Sequence, residues 1–376
     1  MRRSYFTGLS VALLSLAVLL VPSAQAGATK PQTQRITRTE EPILTLAMHG
    51  PRVAYASGGR VRVWNVLTGA TSVVKGNYSN GNHTANAAEI AIAGTRVAWI
   101  KRTELGNTEQ PQRLYTASVG GSAHRLRAVL GSRETDCGLG GSQIAGLVGG
   151  GSFMAVSTWR WDYDGIVAAH RRLSLVTPTG LRTIATGPSA VASVAAGGGH
   201  IAVVPLRSAS MGPDYCEVTP ATTVGIYSVG GTLIRQIETG PVNEIALSGN
   251  RLVTLTPAPA PALHVYDWTT GALVHTWPVV GAATRGGPNQ VGHVQAHGRL
   301  ILYSVFSKHV GGHEALHVLD QTSGRDVAIA TVKGFGDLRA WTIGSRGLVY
   351  VVNHGHRPLG SLVFVPMAKL LRIAGV

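Results

Sequence analysis

Apolar and polar residues alternate in short runs along most of this chain. Val, Ile, Leu, Tyr and Thr fill the runs, and Gly, Pro, Asn and Ser break them roughly every 8 to 12 residues. Alternation with period two marks a half-buried β-strand, so the pattern predicts short strands joined by tight turns. No long stretch carries the 3.6-residue period of an amphipathic helix, and 48 Gly and 18 Pro would interrupt one. The chain therefore reads as all-β.

The strands recur as a unit. Each unit has an apolar strand rich in small residues, a Gly turn, a second apolar strand and a variable loop. A third strand, another Gly-containing turn and a fourth strand complete it. The first strands begin near Ile43, Glu89, Ser142, Ala190, Val242, Val291 and Asp337, which spaces the units 46 to 53 residues apart. The motif "VYDWTTG" (Val265–Gly271) closes a third strand and turns into a fourth. It returns as "VWNVLTG" (Val63–Gly69) and "VLDQTSG" (Val318–Gly324), and more weakly as "LVTPTG" (Leu175–Gly180) and "IYSVGG" (Ile226–Gly231). Its Asn65, Asp267 or Asp320 is suited to bond the backbone amides of a turn, and its Gly to adopt positive φ without strain from a Cβ.

A four-stranded twisted sheet cannot bury both of its faces alone. Seven such sheets stacked radially cover one another and leave only short edges. The first strands suit a crowded axis: "EIAIAG" (Glu89–Gly94), "VASVAAG" (Val191–Gly197) and "EIALSG" (Glu244–Gly249) are apolar but small. Larger residues such as Trp64, Trp99, Tyr115 and Tyr350 fall in second and third strands, where the sheets diverge. The expected fold is a seven-bladed β-propeller of four-stranded antiparallel blades over residues 43–376. Residues 27–42 are polar, with Pro31 and Pro42, and are expected as a flexible lead-in. An edge strand at Gln34–Thr39 is the alternative. The last unit is expected to supply all four of its own strands, ending in "LLRIAG", so that closure rests on packing between the first and last blades.

The stretch "YDWTTGALVHTW" (Tyr266–Trp277) resembles the repeat of the PQQ-like, or quinoprotein, propellers. The general unit is similar to that of WD-repeat propellers. The resemblance covers nearly all of residues 43–376 as architecture and implies the same fold. The Gly-His…Trp-Asp pattern of WD repeats is absent. Quinoprotein dehydrogenases tend to have eight blades, an adjacent Cys pair and a carboxylate-bound calcium, whereas this chain has seven units and two distant Cys. No cofactor is expected.

The N-terminus predicts a protein that works outside the cytoplasm. A basic start, the apolar run Leu9–Val21 and the small-residue site Ala24-Gln25-Ala26 have the layout of a secretory signal peptide, with cleavage expected after Ala26. The run is short for a bilayer span of about 20 residues, and no second long apolar run follows. The mature chain is expected to be secreted, extracytoplasmic and monomeric. Without Arg2 and Arg3 it keeps 31 basic against 18 acidic residues, and few of the basic ones are Lys. Outside a cytoplasm such an excess points to anionic wall polymers, lipid head groups or acidic glycans rather than nucleic acid. Arginine-rich composition without function is the competing explanation.

Candidate chemistry lies in the loops between second and third strands and between units, all on one face of the propeller, here the loop face. Cys137 and Cys216 fall there in neighbouring sectors and, in an exported chain, predict a disulfide. In "STWRWDYDG", Trp159, Trp161 and Tyr163 alternate with Arg160, Asp162 and Asp164. Three aromatics on one side suit sugar stacking with carboxylate acceptors beside them; packing against a neighbouring blade is the structural alternative. His309, His313, His354 and His356 lie in loops of adjacent units, where neutral imidazoles suit zinc or copper and Glu314 would add an oxygen; otherwise they are solvated loop residues. No nucleophile elbow, phosphate loop or His-Glu-x-x-His motif is present. The expected function is that of an exported non-catalytic binding or scaffold propeller, holding a protein, glycan or anionic polymer on its loop face. The alternative is an enzyme with a central loop-face pocket, either a metal-assisted lyase or hydrolase or a quinoprotein-like oxidoreductase.

Overall fold

A computed structural model describes residues 35–39, 43, 45–57, 59–75, 86–103, 109–132, 142–160, 170–187, 191–211, 216–256, 261–279, 283–284, 287–288, 290–307, 313–333, 340–353 and 360–376. A strand β1 (Arg35–Thr39) precedes blade 1, which is β2 (Leu46–His49), β3 (Arg52–Ser57), β4 (Arg60–Asn65) and β5 (Thr71–Val73). Blade 2 is β6 (Asn86–Ala93), β7 (Arg96–Arg102), β8 (Glu109–Ser118) and β9 (His124–Ser132). Blade 3 is β10 (Ser142–Gly150), β11 (Phe153–Arg160), β12 (Arg171–Val176) and β13 (Leu181–Gly187). Blade 4 is β14 (Val191–Gly197), β15 (His200–Met211), β17 (Thr223–Ser228) and β18 (Leu233–Glu238), with β16 (Cys216–Pro220) paired to the far half of β15. Blade 5 is β19 (Glu244–Ser248), β20 (Arg251–Leu255), β21 (Ala262–Asp267) and β22 (Ala272–Pro278). A short pair, β23 (Ala283–Thr284) and β24 (Gly287–Pro288), leads to blade 6: β25 (Gln290–His297), β26 (Leu300–Ser307), β27 (His313–Asp320) and β28 (Asp326–Lys333). Blade 7 holds β29 (Trp341–Gly344), β30 (Gly347–Asn353) and β31 (Gly360–Pro366), and the chain ends in helix α1 (Met367–Ala374).

All strand pairings within the blades are antiparallel, and in blades 1 to 6 the innermost strand comes first. The inner strands touch in ring order, with β29 returning to β2. The core is correspondingly divided into seven apolar clusters, each mixing side chains of two adjacent blades. The protein is a seven-bladed β-propeller, as the repeat predicts.

The repeated heptapeptide forms the turn expected of it. Asn65 Oδ1 accepts the Leu67 N–H at 3.0 Å, Asp267 Oδ1 accepts the Thr269 N–H at 3.0 Å, and Gly69, Gly271 and Gly324 have φ of 81°, 83° and 71°. The Gly has a second use. A Cβ on Gly324 would stand 2.5 Å from the Trp277 ring of the preceding blade. The turn therefore docks on its neighbour as well as reversing the chain.

Two sequence expectations are corrected at blade 7. Its outermost strand is β1, paired to β31 from Arg35↔Phe364 to Thr39↔Gly360. The propeller thus begins inside the supposed lead-in, at Arg35, and a strand from the N-terminus joins the last blade. "LLRIAG" belongs to α1 instead of a fourth strand. Leu370 and Ala374, four residues apart, are buried against blades 6 and 7, and Gly375 caps the helix with φ 82°. An apolar run of this length fits strand or helix locally. The free edge of β31, with every position buried, is taken by the N-terminal segment, which leaves the C-terminal run to fold on itself.

Candidate binding site on the loop face

The seven inner strands enclose a tunnel of about 600 Å³. Its wall is mainly small and apolar, with Ala47, Ile90, Ala145, Ala195 and Ala246 from successive blades. Gly197 shows why: a Cβ there would lie 2.3 Å from the Leu247 carbonyl oxygen of the next blade. Two carboxylates, Glu89 and Glu244, interrupt this lining.

Both carboxylates serve a backbone irregularity. Strand β10 bulges between Ala145 and Val148, and β25 between Gly292 and Val294. A bulge leaves an amide outside the ladder, and an unpaired amide is costly. Glu89 Oε2 accepts the Leu147 N–H at 2.6 Å, and Glu244 Oε2 accepts the Val294 N–H at 3.0 Å. Each is the Glu of an "EIA" sequence and reaches into the following blade. Glu89 Oε1 also meets Arg102 Nη2 at 3.3 Å, and Glu244 Oε1 meets His293 Nδ1 at 3.2 Å. Burial pushes the Glu89 carboxyl up, against the Leu147 amide and Arg102. The hydrogen bond to Glu244 raises His293 against its burial, with the charges of Glu244 and Glu314 adding to the rise. His293 sits in the bulge itself at φ 41°, the non-Gly residue with positive φ among the described residues. Glu89 and Glu244 are thereby committed to joining blades.

Cations on the two faces are used differently. On the face opposite the loops, arginines tie one blade to the next. Arg96 donates to the Thr177 carbonyl at 2.9 Å, Arg182 to that of Val229 at 3.3 Å and Arg235 to that of Thr270 at 3.2 Å. Arg299 and Arg251 pair with the motif carboxylates of Asp320 and Asp267. At the loop-face ends of blades 2 and 3, Arg102 is paired with Glu89, but four other cations have no carboxylate partner among the described residues. Lys101 is registered directly opposite Arg113, and burial together with Arg113 pushes the Lys101 ammonium down. Like charges facing each other across a ladder are unfavourable. Arg160 and Arg172 are exposed, and no carboxylate among the described residues pairs with Lys101, Arg113, Arg160 or Arg172.

The residues singled out by sequence divide accordingly. Trp159 is half-buried, packs with Val191, Ile201 and Val203 of blade 4 and reaches the tunnel wall; Arg160 beside it is exposed. Trp161, Asp162, Tyr163 and Asp164 lie outside the described residues, as do His309, His354, His356 and Cys137. His313 is exposed at the start of β27, and Cys216 opens β16. Among the described residues no group of three or more His, Cys, Asp or Glu stands close enough to hold a metal ion, and no helix is long and apolar enough to cross a membrane. Sequence reasoning missed Glu89, Glu244 and His293. The repeated Glu before an apolar inner strand was the signal that marks the first two.

No known family pattern matches this chain, and no curated protein sequence does. Solved structures do. The chain resembles the β-propeller domain of the trilobed protease from Pyrococcus furiosus, with a TM-score of 0.53 at 12% identity, over 87% of this chain and 96% of that one. It resembles the RRP9 WD40 repeats with a TM-score of 0.53 at 13% identity, covering 88% and 97%. A chain of the mitotic checkpoint complex gives 0.52 at 14% identity, covering 96% and 100%. The likeness is one of fold. At these identities it extends to the stacking of blades and leaves the loop face to be read from its own residues.

Proposed function

We propose that this protein is an exported, non-catalytic binding propeller that engages an anionic glycan or wall polymer through the loop face of blades 2 and 3. The propeller fold is consistent with a binding or scaffold role. The observation that carries the choice of partner is the Lys101–Arg113 pair of blade 2 together with the exposed Arg160 and Arg172 at the same end of blade 3. No carboxylate among the described residues pairs with these cations, while arginines of the other face are spent on neighbouring blades. A polyanion relieves the repulsion and releases its own counterions. The committed state of Glu89 and Glu244 supports binding over chemistry at the tunnel. Export by a signal peptide ending at Ala26 and a Cys137–Cys216 disulfide belong to the same reading.

The test compares charge reversal of Arg160 and Arg172 with reversal of Arg125 and Arg346, which are exposed toward the opposite face. Binding of an acidic polysaccharide is measured at low and physiological salt, where the screening length is about 8 Å. The loop-face pair is expected to abolish salt-sensitive binding and the opposite pair to leave most of it. Equal losses from both would refute the assignment.

A further inference from the structure

Two charged side chains are buried among the described residues, and they are treated oppositely. Asp320 accepts from Arg299 Nε at 2.5 Å and Nη2 at 2.6 Å and from Ser323. Arg171 is 7% exposed, its Nη1 has no hydrogen-bond partner, and no carboxylate among the described residues pairs with it. A guanidinium taken from water without a counter-charge is unfavourable, so a fold that retains one needs a compensating gain. Desolvation accordingly pushes this group down, and Tyr227 of blade 4 is the ionisable group that opposes the shift.

The surroundings are shaped for the guanidinium. Gly187 is registered opposite Arg171, and a Cβ there would stand 2.5 Å from Nη2. The missing side chain is the space in which the guanidinium lies. On the inner side, the β11–β12 ladder ends at Thr158↔Arg172. Strand alternation therefore puts Ser157, Trp159 and Arg171 on the same sheet face, the one packed on blade 4. Trp159 Nε1 and the hydroxyl of Ser157, itself fully buried, also lack partners. One face of blade 3 thus presents three unfilled donors, one of them cationic, toward blade 4 at its loop-face end. What all three lack is an acceptor.

We propose that the loop-face end of the cleft between blades 3 and 4 is a carboxylate seat, with Arg171 as its charge and Trp159 as the accompanying donor. A planar carboxylate matches the guanidinium fork and fits between packed sheets better than a tetrahedral anion does. The seat rests on the loop-face reading above and names the group by which an acidic glycan is gripped, a uronic acid. Arg171 is then the buried anchor, and Arg160 and Arg172 the exposed rim.

The test titrates the mature protein with a galacturonate oligosaccharide, its uncharged galactose counterpart and inorganic phosphate. Galacturonate is expected to bind, with the other two at least about tenfold weaker. Arg171→Gln should weaken galacturonate by at least about tenfold, and Trp159→Phe, which removes one neutral donor, by about threefold. Arg171→Met should leave the melting temperature of the free protein unchanged or raise it, because an uncompensated cation is removed. No galacturonate binding, or equal binding by Arg171→Gln, overturns the seat. So does a lower melting temperature in Arg171→Met matched by Asp162→Asn or Asp164→Asn, since the chain would then supply its own counter-ion. If reversal of Arg160 and Arg172 abolishes polymer binding and Arg171→Gln does not, the seat fails and the loop-face reading stands. If Arg171→Gln alone matters, the exposed rim fails and the seat stands.

Discussion

His293 carries backbone strain and charge at one position. Its left-handed φ follows from the bulge in β25, and its imidazole bridges back to Glu244, whose other oxygen holds the Val294 amide. The facing charges are Glu244 and Glu314. Because the folded pKa is raised above the ordinary 6.5, the contribution is fully present below pH 6.5 and is lost as pH rises through the folded value. Solvent reaches the imidazole, so the effect is discounted to about 0.5 kcal/mol. His293→Asn, which tolerates the backbone but cannot charge, is expected to be less stable than the parent at pH 5.5 and equal to it at pH 9 in urea unfolding. Asp320 behaves in the opposite sense. Arg299 holds its carboxyl far below the usual range, with Ser323 and the Thr322 amide assisting. Its stabilisation is present above the ordinary 3.8 and fades only as pH falls through the depressed value. Asp320→Asn is expected to cost about 2 kcal/mol at neutral pH, since a fully buried acceptor loses its charge while Arg299 keeps partial access to water. Denaturation at pH 7 measures it.

At the scale of elements, blade 7 depends on a strand from the far end of the chain. β31 buries Leu362 and Phe364 completely, and β1 covers its outer edge. Removing residues up to Thr39 strips one edge of a fully buried strand and is expected to cost about 3–5 kcal/mol in lost burial and ladder hydrogen bonds. A mature chain starting at Glu40 that melts with the parent in calorimetry would show that β1 is dispensable. Inner strands are constrained in another way. Gly197 must let blades 4 and 5 meet at the axis, because the Leu247 carbonyl occupies the space a methyl would need. Gly197→Ala is expected to destabilise by about 2–3 kcal/mol through overpacking. Gly199, with open space around its Cβ position but φ 80°, is the comparison: its alanine variant should lose only about 1 kcal/mol of backbone strain.

At the scale of the molecule, the ring divides its labour between faces. One face joins blades through Arg96, Arg182 and Arg235; on the other, Arg160 and Arg172 are exposed with no carboxylate partner among the described residues, which the proposed polyanion binding uses. A Cys137–Cys216 bond would close a span that includes most of blades 3 and 4, and in the chain-entropy account its reduction removes about 4 kcal/mol. Exported protein unfolded without reductant should show no free thiol. Two thiols per chain would leave the ring to hold by packing alone.

How much of this was legible in the chain depends on the range of the interaction. The turn of "VYDWTTG" was readable because its Asp and Gly act on residues two to four positions away, and its recurrence counted the blades. Alternation of period two fixed the strands, and small residues in "EIAIAG" and "EIALSG" marked the axis. All of these are local constraints, so the residues alone determined the propeller and which face bears the loops. Closure was different. Whether Arg35–Thr39 or the C-terminal run takes the edge of β31 is a competition between segments some 300 residues apart, and local pattern favours neither. The uses of Glu89, Glu244 and Arg171 were likewise decided by tertiary structure. A carboxylate in an apolar inner strand becomes a bulge cap only when the next blade presents an unpaired amide. An arginine at a strand end is buried between blades only when alternation turns it toward the neighbouring sheet and Gly187 leaves it room.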